Sequence, residues 1–592
     1  MSGIWGFTHK KHRDYSSRNE RMRQALKHRG PDHYATFQAP GVVMGVNGLG
    51  IEQPEPRLHQ GSPDERFAVV LDGQIYNIDD IRSRFPEHGQ HLKRATTSQT
   101  IAQLYGKMGS DLIGELRGMF ALAVLDRTER RLTLARDRMG EKPLYYSDGP
   151  EGFTFSSELK GLLASGAVDF RLDPESIYSY FLFQYIPEPR TAVAGVRKVP
   201  AGQVLEIDLD TSRTKLHRYW DFSDVRAVVS DPVDAVAAAL EEAASLTTAS
   251  DGPVGISLSS GIDSILLAAL LARKRTPVHA FTVGYPGHPG NDERPAARRI
   301  ASHLGLDFHE IEISADDVIE TFPVVVLACD DPIADTAAPC YWAISREARR
   351  QGVPSIFQGY GTDEMMWGVK WARKAAELGS CTTSGDDGPV PFYATHDGYL
   401  EAHARMPLIM PAQTLQSIGD LSPLRELHRR PGESAEGRIS TAVVETYMRE
   451  NSLTQGDRLT MCHGVERRLM FTDSSVVDTV FGLRAHRSDL ALAPKEYVRK
   501  AALNWVPSWM AERPKMPFET PVGQWSGRLF HTYGPLVDGG ALVDLGILRA
   551  DVARDLLDDV YEATRPTPVS YKALVLELWV REMLKLPGVR TA

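Results

Sequence analysis

The sequence predicts two domains of different class: an α+β layered sandwich over residues 1–210 and an α/β domain with a parallel sheet over residues 211–592. Three observations carry that prediction. In the N-terminal part, short β-patterned runs mingle irregularly with helical segments, which indicates stacked layers rather than a βαβ repeat. From Val254 onward strands and amphipathic helices alternate, the order of a parallel sheet with helices on both faces. Between the first of those strands and its helix stands a turn of small residues, Ser259-Ser260-Gly261. A chain of 592 residues also exceeds what one hydrophobic core usually organises.

In chain order, strands are expected at 41–46, 67–71, 120–125, 131–135, 153–156 and 204–207, with helices at 19–27, 78–84 and 97–108. An acidic, irregular stretch over 221–234 leads into an Ala-rich helix at 233–247. The second domain then reads as strand 254–258, helix 263–275, strand 278–283, helix 292–304, strand 308–313 and helix 315–328. A helix at 341–351 and a strand at 355–358 complete it. Residues 374–394 and 429–438, rich in turn formers, read as mobile loops.

Composition narrows the function classes. Hydrophobic residues make up 42% and charged residues 24%, as in an ordinary globular protein. A net charge of −10 offers no electrostatic case for nucleic acid or anionic membrane as partner. The four cysteines (Cys329, Cys340, Cys381, Cys462) lack zinc-ligand spacing and read as incidental thiols of a reducing compartment. No apolar run approaches the roughly 18 residues of a membrane span, and no signal peptide is evident, so a cytoplasmic location is expected. Homodimerisation is compatible with the sequence, which fixes no oligomeric state.

The Ser-rich turn carries the chemistry. A strand feeding a small-residue turn and a helix N-terminus directs unpaired N–H groups and the positive end of the helix dipole at one point, which makes an anion site. Ser259, Ser260 and Ser264 add hydroxyls, and Asp263 adds a carboxylate suited to Mg²⁺ beside a pyrophosphate. A second candidate loop, Phe357-Gln358-Gly359-Tyr360-Gly361-Thr362-Asp363-Glu364, follows the last predicted strand. Its glycines permit a sharp turn under a phosphate, and Asp363 offers a second carboxylate for Mg²⁺. Both loops belong at the carboxyl ends of parallel strands, where such sheets bind ligands. The alternative for the first loop is an ordinary βα turn that happens to be rich in serine.

The first loop matches neither common nucleotide fingerprint. It resembles the Ser-Gly-Gly-x-Asp-Ser loop of the pyrophosphate-loop ATPases, with Ser260 where that loop has its first glycine. The segments His28–Asp32, Asp72–Asn77, Gly118–Ala121 and Ala135–Gly140 are together similar to class II glutamine amidotransferases, and their order fits the asparagine synthetase B family. That resemblance implies an N-terminal-nucleophile-hydrolase fold for the first domain and a pyrophosphate-loop fold for the second. It also implies a nucleophilic Cys at position 2, and here the sequence departs. Ser2 replaces that Cys, Gly48 the Arg that grips glutamine, and Asp72 the Asn that donates to the oxyanion, while Thr97 and Gln99 stand in the acidic run near the glutamine amine. Together these departures predict a retained fold with glutaminase activity lost, and His28–Asp32 is then read as a structural turn.

In the second domain, Gly359–Glu364 resembles the Gly-Glu-Gly-Ser-Asp-Glu segment, but Tyr360 replaces its Glu. A Tyr there is similar to β-lactam and carbapenam synthetases, in which it assists deprotonation of an amine of the substrate itself. The bland alternative is a packed aromatic whose hydroxyl is satisfied. Asp330–Asp335, Asp457–Met461 and Arg513–Lys515 match further family segments, and Lys495 to Arg499 matches a Lys-x-x-x-Arg helix. By the resemblance, Lys495 and Tyr360 are catalytic. Leu258, Ser259, Ser260, Gly261, Asp263, Ser264, Val283, Gly359 and Gly361 border ATP, and Asp263 and Asp363 hold Mg²⁺. The acyl pocket is expected near Asp335, Met366 and Trp367.

The function implied is an ATP-dependent, AMP- and pyrophosphate-forming synthetase that joins a small-molecule carboxylate to an amine, as an amide or lactam. Two alternatives stand beside it: an asparagine synthetase using ammonia or glutamine, and an inactive ATP-binding regulatory homologue.

Overall fold

The computed structural model describes residues 2–9, 15–50, 61–62, 64–86, 92, 94–150, 152–248, 252–273, 277–287, 292–379, 395–418, 434–514, 520–558 and 568–591. Its N-terminal half holds two antiparallel sheets. One contains β1 (Ser2–Thr8), β2 (His33–Ala39), β3 (Val42–Gly48), β7 (Tyr145–Gly149), β8 (Gly152–Ser156) and β10 (Arg197–Lys198), in the order β10-β7-β8-β1-β3-β2. The other contains β4 (Phe67–Ile75), β5 (Gly118–Asp126), β6 (Arg131–Arg136), β11 (Gln203–Asp208) and β12 (Thr214–Arg218), in the order β12-β11-β6-β5-β4.

The two sheets pack face to face. Ile4, Val42 and Met44 of the first meet Val70, Ala123 and Leu134 of the second in one apolar cluster. Strand β5 shows why it is apolar throughout: Ala121, Ala123 and Leu125 face the inter-sheet core. Phe120, Leu122 and Val124 face the other way, with residues of the helix Thr97–Met108. On the far side, Met22 of the helix Ser16–Ala25 packs on Trp5, Phe7 and Val43. The result is a helix–sheet–sheet–helix sandwich, the α+β class expected.

The C-terminal half is built on one parallel sheet of β13 (Val254–Ser257), β14 (Val278–Gly284), β15 (Asp307–Glu312), β16 (Ser355–Phe357) and β17 (Glu466–Arg468). Its order is β15-β14-β13-β16-β17, with parallel pairing between neighbours. Apolar side chains alternate between two cores. Phe281, Val283 and Ile356 point into one, and Val254, Ile256, Ala280 and Phe357 into the other. A last short ladder joins β9 (Asp169–Phe170) to β18 (Arg590–Thr591), so the chain end returns to the first half. Among the described residues no helix is long and apolar enough to cross a membrane.

Several expectations need correction. Strands β1, β2, β7, β9, β10, β12, β17 and β18 lie outside the expected ranges. β2 is a half-exposed edge and β12 a largely exposed one, neither with a clean apolar alternation, and β17 is three buried charged residues, Glu466-Arg467-Arg468. Residues 374–379 are not loop but the end of the helix Lys370–Gly379, whose Ala375 and Ala376 are buried. Likewise the helix Ala435–Val443 starts inside the second expected loop, because the Ser434 hydroxyl accepts from the Gly437 N–H and caps it. The remainder of both loops, 380–394 and 429–433, together with Cys381 and Lys515, lies outside the described residues.

Candidate active site

Two loops leave adjacent strands of the parallel sheet and meet. After β13, the chain turns through Leu258–Gly261 into the helix Ile262–Ala272. The Leu258 N–H donates to the Phe281 carbonyl at 2.9 Å, and the Thr282 hydroxyl donates to the Leu258 carbonyl at 2.7 Å. Serine hydroxyls knit the turn itself: Ser264 Oγ accepts from the Ser259 N–H at 3.1 Å, and Ser259 Oγ accepts from the Gly261 N–H at 3.1 Å. No side chain caps the helix at Gly261, so its first N–H groups and dipole stay available to an anion.

After β16 the second loop passes beneath. A Cβ on Gly359 would stand 3.0 Å from Asp263 Cβ, so glycine lets the two loops touch. Gly361 adopts a φ of +113°, which only glycine takes readily, and from there the helix Thr362–Met365 begins. Over these loops lies a cavity of about 470 Å³ lined by Leu258, Ser259, Gly261, Asp263, Ser264, Val283, Gly359, Tyr360, Asp363 and Lys495.

Two expected nucleotide contacts are absent from that wall. The Ser260 side chain is buried, and its N–H and hydroxyl both donate to Glu293 Oε1. Serine at this position is thus tied to a carboxylate beside the cavity instead of facing it. Gly361 contributes backbone geometry only, packing near Met365, Phe471 and Thr472. Asp335 lines the cavity as expected, whereas Met366 and Trp367 do not. Trp367, at a φ of +62°, turns its indole to Asp489 at 2.8 Å with the Arg484 guanidinium 4.6 Å over the ring.

Lys495 is the centre of charge. It precedes the helix Glu496–Ala502 in a left-handed conformation with φ +60°, and its N–H donates to the Met366 carbonyl. Its buried ammonium donates to Asp263 Oδ2 and lies 2.7 Å from Asp363 Oδ1. Burial opposes that charge, but the two carboxylates outweigh it and raise the lysine pKa. Asp263 Oδ1 is buried and has no hydrogen-bond partner. An orphaned carboxylate oxygen beside Asp363 is a donor set that fits a hard, oxygen-seeking cation such as Mg²⁺.

Tyr360 faces the same cavity. Its hydroxyl is hydrogen-bonded to Tyr341, the ring centroids are 5.8 Å apart, and the Arg467 guanidinium lies 5.7 Å from its ring centre. Burial, reinforced by Tyr341, pushes its pKa well above the ordinary tyrosine value. Glu364 is pushed up to about 7, by burial first and then by Asp363, and burial also raises Asp335. Asp335 accepts from Asn451 at 2.9 Å and from the Ala337 N–H at 2.9 Å.

Other wall residues were not singled out in the sequence: Glu293, Tyr341, Gln358, Asn451 and Ser452. Gln358 carries a real signal in retrospect. It directly precedes Gly359, and both ends of its amide, like Ser257 Oγ, are buried without a partner beside the cavity. Such groups require a hydrogen-bonding ligand or water. Arg499 also reaches the wall, while its guanidinium holds the Ala511 and Arg513 carbonyls at 3.0 and 2.9 Å.

Three of the N-terminal departures, Ser2, Gly48 and Asp72, meet. Ser2 pairs with Gly48 across β1 and β3, and its N–H donates to Asp72 Oδ1 at 3.0 Å. Asp72 Oδ2 accepts from Arg29 at 2.9 Å, and that buried guanidinium also contacts Glu158 at 2.9 Å and Asp457 at 2.8 Å. His28–Asp32 is therefore more than a turn, since Arg29 joins the two halves of the chain. Thr97 opens its helix, and the Gln99 side chain is spent on a capping box with Thr96. The segment beginning at Asp457 lies in this junction, where Asp457 also receives Lys142 at 2.7 Å.

Comparison with known proteins agrees with this two-part plan. The glutamine amidotransferase domain model matches residues 1–220, and the asparagine synthase model matches residues 235–583. The glutamine-hydrolyzing asparagine synthetase 1 of Bacillus subtilis is 28% identical, over 86% of this chain and 84% of its own. Asparagine synthetase 3 of the same organism is 24% identical over 84% and 83%, and the Asparagus officinalis enzyme 27% over 60% and 57%. With that synthase model spanning more than half of the residues and enclosing the Lys495 cavity, the chain belongs to the asparagine synthase family of ATP-dependent, amide-forming ligases.

Proposed function

We propose that this protein activates a substrate carboxylate with ATP and couples it to an amine supplied by a substrate, without hydrolysing glutamine. The observation that carries the reading is Tyr360, hydrogen-bonded to Tyr341 in the wall that also holds Lys495, Asp263 and Asp363. Support for the loss of glutaminase comes from Asp72. It is an acceptor on both oxygens, bound to the Ser2 N–H and the Arg29 guanidinium, where an oxyanion would need a donor.

A substrate carboxylate oxygen attacks the α-phosphorus of ATP, and pyrophosphate leaves toward the uncapped helix N-terminus and the Ser259–Ser264 loop. Lys495 supplies positive charge to the phosphorus centre and later to the tetrahedral oxyanion. Asp263 and Asp363 would hold Mg²⁺, which neutralises phosphate charge when bound. The amine then attacks the acyl-adenylate, AMP leaves, and the amide forms. Tyr360 accepts the amine proton as its own passes to Tyr341, which gives up its phenolic proton in turn. Asp335 and Glu364, both with raised pKa, are the nearby carboxylates able to take it.

A second reading, an asparagine synthetase that uses aspartate with ammonia or glutamine, is favoured by the relatives, which are named glutamine-hydrolyzing asparagine synthetases. The deciding experiment measures AMP and pyrophosphate from Mg·ATP over a panel of carboxylic acids, each with no amine, ammonia or glutamine. Release with an acid that carries its own amine, unchanged by glutamine, is expected. Release with aspartate that depends on ammonia selects the second reading, and stimulation by glutamine overturns the loss of glutaminase. Bound ATP with no product under any condition would mark an inactive homologue.

A further inference from the structure

Outside the cavity, one cluster of side chains has the composition and size of a transition-metal site. His279, the second residue of β14, pairs in register with Asp307, the first residue of the edge strand β15, and Phe281 pairs with His309. His279 Nδ1 lies 3.0 Å from His309 Nε2 and 3.2 Å from Asp307 Oδ2, and His309 Nε2 lies 3.6 Å from the same oxygen. Three donors thus form a nearly equilateral triangle. Ligands bound tetrahedrally to Zn²⁺ at about 2.0–2.1 Å stand about 3.3 Å from one another, so the triangle has the dimensions of one tetrahedral face.

We propose that His279, His309 and Asp307 bind Zn²⁺ or a similar divalent transition metal, which clips the edge strand β15 to β14. Two imidazoles and one carboxylate suit Zn²⁺ and exclude a dedicated Mg²⁺ or Ca²⁺ cage, which needs oxygen donors. Among the described residues, Asp307 has no cationic partner other than these imidazoles. The site opens to solvent through Asp307, which is 62% exposed, while each imidazole is only 16% exposed. The fourth position is thereby left to water. Parallel strands put the ligands at the opposite end of the sheet from the nucleotide loops, so the metal takes no part in the chemistry there. Its mechanical link to the cavity is Phe281, whose ring lies 4.9 Å from that of His309 and which is one of the residues lining the cavity.

The competing explanation is a hydrogen-bonded His–His–Asp cluster that needs no ion. Chelator-treated full-length protein titrated with Zn²⁺ against a chromophoric competitor separates the two. The proposal expects one tight site per chain, undisturbed by millimolar Mg²⁺ and at least about tenfold weaker in Asp307→Asn. The His279→Ala/His309→Ala double variant should lose it. Zn²⁺ should raise the Tm of the wild type and leave that of the double variant unchanged. Co²⁺ bound to the wild type should give the intense visible bands of tetrahedral coordination, a readout independent of whether the double variant folds. Absence of stoichiometric Zn²⁺ binding overturns the proposal. So does binding that persists in the double variant, or a Co²⁺ complex without tetrahedral bands.

Discussion

Lys495 lies 2.7 Å from Asp363 while donating to Asp263, so one buried ammonium joins the loops that follow β13 and β16. The cation is preorganised before any ligand arrives, which is how charge stabilisation avoids a reorganisation cost at the moment of reaction. Lys495→Met should therefore reduce ATP–pyrophosphate exchange about 10²–10³-fold. Exchange within tenfold of wild type would remove Lys495 from the chemistry. Because its folded-state pKa is raised, the stabilisation from this ammonium is complete below the ordinary lysine range and is lost only as pH rises through the folded value. Activity in the neutral range should thus show no step from Lys495.

Glu364 supplies the neutral-range step. Its carboxyl is pushed from 4.5 up to about 7, by burial first and then by Asp363. A raised folded-state pKa means that the native state holds a proton that the unfolded state releases. Stability from that proton is complete below pH 4.5 and lost as pH rises through about 7, a swing of about 3 kcal/mol. Glu364→Gln cannot release the proton. The variant should gain Tm over wild type as buffers go from pH 5.5 to 8, and a difference in Tm that stays constant with pH would refute the assignment.

Tyr360→Phe separates the two half-reactions. Removing the hydroxyl leaves Lys495 and both carboxylates in place, so exchange of pyrophosphate into ATP should stay within about threefold. Amide formation should fall by about 10²-fold, the lower end of what a positioned proton-transfer group contributes. Equal losses in both assays would mean that Tyr360 merely packs.

Much of this site was legible because its chemistry is local. The strand, the turn Ser259–Gly261 and the helix N-terminus are consecutive, so small residues between two periodic runs reveal them. What joins the parts was not legible. Nothing near Lys495 announces Asp263, because that contact is made by the sheet order and not by spacing. Ser260 misled for a related reason. A hydroxyl in an anion loop reads as a donor to phosphate, and only the fold brings Glu293 within reach of it. Strand β17 escaped because three buried charged residues carry no apolar signal; Arg468 pairs there with Glu466, and Arg467 donates to the Ser452 and Leu453 carbonyls.

The N-terminal half offers the sharpest test of the proposed loss of glutaminase activity. Substituting Ser2→Cys alone restores a thiol, and adding Asp72→Asn restores an oxyanion donor, but Asp72 is also half of a buried ion pair with Arg29. Removing that charge leaves Arg29 to Glu158 and Asp457, which keep the guanidinium neutralised. The cost should then fall below the roughly 3–5 kcal/mol of a fully orphaned buried charge, at about 1–2 kcal/mol in denaturant melts. Gly48 still provides no side chain to grip a substrate carboxylate, and Gln99 remains committed to the Thr96 cap. The double variant should consequently be folded, less stable than wild type, and without glutamine hydrolysis above the buffer rate. Glutamate release by that variant would show that two residues, rather than the whole rearranged pocket, separate this domain from a working glutaminase.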